Sequence, residues 1–185
     1  MAERWPGIWD DPLVLWHGTT AESALSVLGA LSTAYCFRDL DFGRGFYATT
    51  SQSQAVEWAR HKQAQRGTGI GVVCFVLPRS ALVGLHVVAF ARGDRDADDY
   101  WRLVFCCRNG GGHGLDAAAD HPYDLVIGPV ARRFDAWSER DAFSDMDQWS
   151  FHTQAAFDAL EGGRRCGWTW TTNRWTPLAL PSGSA

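Results

Sequence analysis

Leu13-Val-Leu-Trp-His-Gly-Thr19, followed by Thr20-Ala-Glu-Ser-Ala-Leu-Ser-Val-Leu28, is the stretch on which the reading of this chain turns. The apolar run at residues 13–16 has the character of a strand. Thr19-x-x-Glu22 has the form of a capping box, in which the threonine takes an orphan helix N–H and the glutamate reaches back. Ala24, Leu25, Leu28 and Leu31 then recur at helical spacing. His17, Gly18 and Thr19 are therefore expected at a strand-to-helix turn.

Outward from there the same devices repeat. Phe46-Tyr-Ala48 reads as a short strand. Ser51-x-x-Gln54 reads as a second capping box, opening a helix that Ala55, Val56, Trp58 and Ala59 continue. Residues 71–77 (GVVCFVL) form the clearest strand, ended by Pro78. Tyr100, Trp101, Val104 and Phe105 place a helix over residues 96–108, and residues 109–114 (NGGGHG) read as a flexible break. Residues 123–127 read as a buried strand closed by Gly128-Pro129, and residues 149–151 as a half-buried strand. A short helix is expected over 154–160, then a last strand over 166–171. Strands and helices in this irregular order point to an α+β fold rather than a doubly wound sheet. One domain is expected over residues 1–176, with a disordered tail over 177–185 (PLALPSGSA).

At 185 residues, 46% of them apolar and ten of them Trp, the chain can bury a sizeable single core. A net charge of −4 argues against a broad nucleic-acid surface but leaves room for a small nucleic-acid substrate. No apolar run approaches the ~20 residues of a membrane span. Met1-Ala-Glu-Arg-Trp-Pro lacks the basic-then-apolar pattern of a signal peptide, so no membrane partner and a cytoplasmic location are expected. The five cysteines are odd in number and three lie in apolar runs, which suits reduced thiols rather than a disulfide frame. Cys106, Cys107, His113 and His121 lack zinc-ligand spacing, so no metal is expected. Residues 67–71 (GTGIG) lack the lysine of a P-loop and read as a plain loop.

Three segments carry candidate chemistry: Trp16-His-Gly-Thr19, Gly43-Arg-Gly-Phe-Tyr-Ala-Thr-Thr50 and Asp147-Gln-Trp-Ser-Phe-His152. The first sets an imidazole that can donate or accept beside a glycine that allows close backbone approach. In the second, two glycines turn the chain into a strand ending in an aromatic pair. Trp58 follows Tyr47 by about three helical turns, so a second aromatic returns near the same mouth. Stacking between two aromatic faces is worth ~1–3 kcal/mol for a base-like ring. Each feature also has a plain reading: a structural histidine, an ordinary turn, a core tryptophan. His152 and Asp124 read as structural.

Taken together, these segments resemble the ADP-ribosyltransferase superfamily, in the diphtheria-toxin-like branch that includes the poly(ADP-ribose) polymerases and small bacterial members. That branch carries H-G-[ST] at a strand end, then G-[KR]-G-[IF]-Y-x-[AT] before a helix, then a strand opened by a glutamate. Here these are His17-Gly18-Thr19, residues 43–49 and the strand from Gln148, so the resemblance covers roughly residues 13–160. It implies two small mixed or antiparallel sheets split around an NAD cleft, with NAD⁺ as co-substrate. It further implies that His17 bonds the adenosine ribose and that Gly18 N–H and C=O fix the nicotinamide carboxamide. Tyr47 and Trp58 would sandwich the nicotinamide ring, with Thr19 lining the pocket. The implied catalytic set is His17, Tyr47 and Gln148. The implied activity is mono-ADP-ribosyl transfer to a protein, nucleic-acid or small-molecule acceptor, as in a bacterial toxin or effector with an antitoxin or inhibitor as partner.

Gln148 departs from the pattern. An amide can hold a ribose hydroxyl but cannot act as a general base, which argues against chain elongation. Asp145 or Asp147 is the nearby carboxylate expected to help. Two other functions fit the same residues. One is a catalytically weak NAD or ADP-ribose-binding module. The other is an NAD-dependent RNA 2′-phosphotransferase, for which Arg44 and the Arg132-Arg133 pair are the visible phosphate ligands.

Overall fold

The computed structural model describes residues 11–32, 36, 40–66, 69–91, 98–110, 123–133, 140–171 and 173–179. Strand β1, Leu13–Thr20, continues past its apolar run through the whole His-Gly-Thr motif. Pairing explains the extension. Each of its residues has an antiparallel partner on β3, Ile70–Leu77, from Leu13 opposite Leu77 to Thr20 opposite Ile70. The helix cap accordingly moves one residue on. Thr20 Oγ1 accepts from Ser23 N at 3.2 Å, and helix α1, Ala21–Gly29, begins behind it, so the expected Thr19–Glu22 box does not form. Ala24 and Leu28 of α1 and Leu31 beyond it are buried, whereas Leu25 faces solvent.

Strand β2, Phe46–Ala48, and helix α2, Gln52–Arg66, lie where the sequence places them. Gly43 has φ +83, a conformation open to glycine, and a Cβ on Gly45 would stand 2.5 Å from Ser150 Oγ and 2.8 Å from Phe151 O. Ser51 Oγ accepts from Gln54 N at 3.3 Å, which is half a capping box. The Gln54 side chain does not reach back to Ser51. Its Nε2 donates to Asp147 O at 2.7 Å and its Oε1 accepts from Asp147 N at 3.2 Å, as a strand partner would.

β1 and β3 continue into β7, Arg164–Thr171, and β8, Arg174–Leu178, giving an antiparallel sheet of order β1-β3-β7-β8. Pro177 and Leu178, expected in the tail, lie in β8; residues 180–185 fall outside the described part. The second sheet has order β2-β6-β5-β4, with β4 Val87–Ala89, β5 Leu125–Arg133 and β6 Asp141–Phe151. Its pairs are antiparallel except β4 with β5. The fold is therefore α+β, with two four-stranded sheets among the described residues.

Two strand boundaries differ from expectation. β5 is not closed by Gly128-Pro129 but runs on to Arg133. β4 pairs only as far as Ile127, so the proline meets no strand on that edge among the described residues. β6 begins at Asp141, so Gln148 sits well inside it rather than opening it. Helices α3, Asp98–Arg108, and α4, Gln154–Glu161, match expectation, while β4, β8 and a 3-10 turn at Arg79–Leu82 were not anticipated. Asn109 and Gly110 form a turn; the remainder of the expected flexible break lies outside the described residues.

The largest core lies between the sheets, where Leu13, Leu15, Val73 and Phe75 meet Phe46, Leu125, Phe151 and the α4 residues Phe157 and Leu160. α3 covers the outer face of the second sheet through Tyr100, Trp101 and Val104, against Phe42 and Val126. α2 covers the outer face of the first through Ala55 and Ala59 on Ile70 and Val72. All five cysteines are free. No helix among the described residues is long and apolar enough to cross a membrane.

α2 can lie this close only because β1 offers no side chain at Gly18. A Cβ there would stand 1.8 Å from Ala55 O, a backbone atom that cannot swing aside. Gly18→Ala should therefore cost about 3 kcal/mol or more by overpacking. Gly29→Ala, with nothing within 4 Å, should be neutral or stabilise by up to about 1 kcal/mol. Urea unfolding of the two variants side by side checks both.

Candidate functional site

β1 and β2 meet at the edge where the two sheets touch. Trp16 N donates to Thr49 O at 2.7 Å and Thr49 N donates to Trp16 O at 2.9 Å. Those bonds fix which way the β1 backbone faces. Trp16 turns both polar groups away from β3, so by strand alternation Gly18 turns its N–H and C=O to the same side. There the β2 chain has already left for α2, and a cleft of about 820 Å³ opens. Its walls include His17, Gly18, Thr19, Tyr47, Trp58 and Gln148, so one cavity collects the six residues that the motifs name for the ligand and the catalytic set.

His17 follows Leu13 and Leu15 along the core-facing row of β1 and stacks on Phe46 with centroids 4.5 Å apart. Its Nδ1 lies 2.6 Å from Tyr47 O. Burial and, next, the charge of Lys62 push the imidazole down to about 3. The ring is therefore neutral near pH 7. Since a carbonyl can only accept, Nδ1 carries the proton and Nε2 is an acceptor.

Tyr47 lines the cleft with its hydroxyl already engaged. Its hydroxyl donates to Gly43 O at 2.7 Å and accepts from Phe42 N at 3.0 Å, so the oxygen clamps the glycine turn. Burial first of all raises the phenol well above its usual range. Only the ring is left for a ligand. Trp58 is 44% exposed rather than in the core, with His61 edge-on to it, and no ring contact joins it to Tyr47 among the described residues. The approach of α2 by itself requires a glycine at position 18. Lys62 Nζ donates to Gly18 O at 3.0 Å.

Gln148 is 8% exposed, and its Nε2 donates to Asp41 Oδ2 at 2.8 Å and to Pro129 O at 2.9 Å. Asp41 in turn takes Arg108 Nε at 2.9 Å and Nη2 at 2.6 Å on Oδ1, and Ala131 N at 2.7 Å on Oδ2. Sequence reasoning missed Asp41 and Arg108, which both line the cleft. They lie 67 residues apart, and no local pattern joins them. The carboxylates expected to assist are elsewhere. Asp145 is exposed and outside the cleft. Asp147 is buried and spent on Thr49 Oγ1, Thr50 N and Oγ1 and Trp149 Nε1.

The basic groups also differ from those anticipated. Arg44 is exposed and does not line the cleft, Arg132 faces Asp141 at 3.7 Å, and the Arg133 side chain lies outside the described part. Lys62 and Arg66, one turn apart on α2, line it instead. Asp124 and His152 are structural. Asp124 takes His86 N and Thr153 Oγ1, and His152 Nδ1 meets Arg44 O at 2.9 Å. His113 and His121 lie outside the described residues.

Residues 13–139 match the model of a family described as a protein of unknown function, DUF3990, and the chain belongs to that family. The match carries His17, Asp41, Tyr47, Trp58 and Arg108 and stops before Gln148. No curated protein and no solved structure matches the chain.

Two predictions follow from this geometry. Tyr47→Phe removes the partner of the Phe42 N–H and should cost about 1–3 kcal/mol in unfolding experiments while keeping the ring in the cleft. For His17, the folded value near 3 lies below the ordinary 6.5, so the unfolded chain takes up the proton first. Its contribution is whole above pH 6.5 and is lost as pH falls toward 3. Melting curves from pH 7.5 to 4.5 should fall more steeply for the wild type than for His17→Gln.

Proposed function

We propose that the cleft binds NAD⁺ and supports transfer of single ADP-ribose units to an acceptor that is already nucleophilic. The observation that carries this reading is the open edge of β1. Gly18 N–H and C=O, side by side there, are the donor and acceptor that a carboxamide needs. Tyr47 and Trp58 stand in the same walls for the ring that bears it, and His17 Nε2 offers an acceptor to a ribose hydroxyl. Departure of nicotinamide turns a cationic ring into a neutral one, and a positioned, largely dry site favours that change.

The proposed limit to single transfers comes from the bases. A neutral imidazole of such low basicity abstracts protons poorly, and Asp41 already accepts four hydrogen bonds. The acceptor must then bring its own nucleophile. A second reading, an NAD⁺ or ADP-ribose-binding module without turnover, is favoured by Lys62. Its ammonium already takes Gly18 O at 3.0 Å, which leaves the carboxamide less firmly held while the rest of the cleft stays open to the ADP-ribose part of the ligand.

NAD⁺ at a hundredfold excess over Kd should stabilise the protein by ~2.7 kcal/mol, seen as a raised Tm together with quenched Trp fluorescence. His17→Ala and Trp58→Ala should each weaken binding at least tenfold, ~1.4 kcal/mol. Nicotinamide released from NAD⁺ in the presence of cell lysate separates the readings, since the binding module releases none. Millimolar NAD⁺ that shifts neither Tm nor fluorescence would overturn both.

A further inference from the structure

Glutamine 148 can be read as a glutamate lost, and the wall behind it argues otherwise. Both neighbours of its Nε2, Asp41 Oδ2 at 2.8 Å and Pro129 O at 2.9 Å, can only accept. The amide therefore cannot be turned round: nitrogen faces the wall, and Oε1 is the atom left over. Oε1 takes no hydrogen bond from the described residues, and Gln148 lines the cleft, so the oxygen is presented there as an acceptor. Asp41 is itself held. Its Oδ1 is taken twice by Arg108, and its Oδ2 by Ala131 N as well as by Gln148. Arg108 Nη2 also donates to Ala131 O at 3.2 Å, which ties the pair to β5.

We infer that Asp41 is the positioning residue of this cleft and that it selects glutamine over glutamate at position 148. A glutamate there would set a carboxylate oxygen against the Asp41 carboxylate and the Pro129 carbonyl, three acceptors with no hydrogen among them. Like charges at this separation, with little solvent between them, repel strongly. The wall thus fixes a neutral acceptor aimed into the cleft, suited to a ligand hydroxyl and closed to a general base. The identity of that hydroxyl, on the nicotinamide ribose, rests on the NAD⁺ reading above; the orientation of Gln148 and its dependence on Asp41 do not.

The test is a double-mutant cycle on the full chain with Gln148→Glu, Asp41→Asn and the two combined. Each single change puts like groups face to face, acceptor on acceptor or donor on donor, and should lower Tm by about 3–8 °C. Together they restore a donor and an acceptor across the contact, so the combined loss should be smaller than the sum of the two. Tm of Gln148→Glu equal to wild type, or strictly additive losses, would sink the proposal. If Asp41→Asn fails to fold, Gln148→Glu alone still decides, because a tolerated glutamate contradicts the selection.

Ligand binding supplies the readout that mere structural damage would not move. The probes are NAD⁺ and its analogue lacking the 2′-hydroxyl of the nicotinamide ribose. Wild type should prefer NAD⁺ at least tenfold, and folded Asp41→Asn should lose most of that preference while binding the deoxy analogue as wild type does. Equal discrimination in both proteins counts against Asp41 as the positioning residue. If wild type binds neither probe, the NAD⁺ reading fails while the stability cycle still judges the wall.

Discussion

Two hydrogen bonds between Trp16 and Thr49 join the edge of one sheet to the edge of the other. Much of the site depends on that splice. It fixes the alternation of β1, and with it the side on which Gly18 shows its backbone. One residue further along, His17 Nδ1 reaches Tyr47 O, so the same splice sets the tautomer of the imidazole. The cleft opens where the splice stops, because Thr50 and Ser51 turn away into α2. A strand edge that pairs with Thr49 at Trp16 and meets the Lys62 ammonium at Gly18 is a backbone site held by a rigid frame.

Two buried polar groups hold that frame at its weak points. Asp147 fastens β6 to the turn after β2 through Thr49 and Thr50, and Gln54 completes the β6 edge where β2 has ended. Asp41 and Arg108 fasten the chain before β2 to α3 and β5. Buried charges of this kind add little net stability against apolar replacements, but removing one partner strands the other. Their effect here is directional: they decide where side chains point around a cavity that apolar packing alone would leave undefined.

Most elements were legible because their apolar periodicity is strong: α3, α4, β3 and the core of β7. The boundaries were less legible where pairing overrides composition. His17-Gly-Thr19 looks like a turn and is a strand, because β3 supplies partners for all eight residues of β1. Gly128-Pro129 looks like a stop, and β5 passes through it because β6 continues alongside. β4 is only three residues long and β8 contains a proline, so neither leaves a local signature. In the site, the motif residues were found because they cluster in short segments. Asp41 could not be found that way, since its meaning comes from Arg108, Ala131 and Gln148, contacts of 67 to 107 residues that no local pattern records. The engaged Tyr47 hydroxyl and the claimed space at Gly18 were hidden for a similar reason, since both are facts of packing.

The order of strands in the second sheet has a consequence for how the protein comes into being. Among the described residues β2 has no partner in that sheet other than β6, and Phe46 pairs with Phe151 across more than a hundred residues. β5 likewise waits for β6 on one side and has only three residues of β4 on the other. The hairpin-like half of the first sheet, β1 with β3, is available early in synthesis, but the wall bearing Gln148 is not. Closing so long a loop is slow, and until β6 arrives Phe46 and Leu125 lack the Phe151 side of their core. A nascent chain therefore carries the His-Gly-Thr and Gly-x-Gly-Phe-Tyr segments without their shared cleft until β6 follows them. Whatever this cleft binds, its Gln148 wall exists only once β6 has been made.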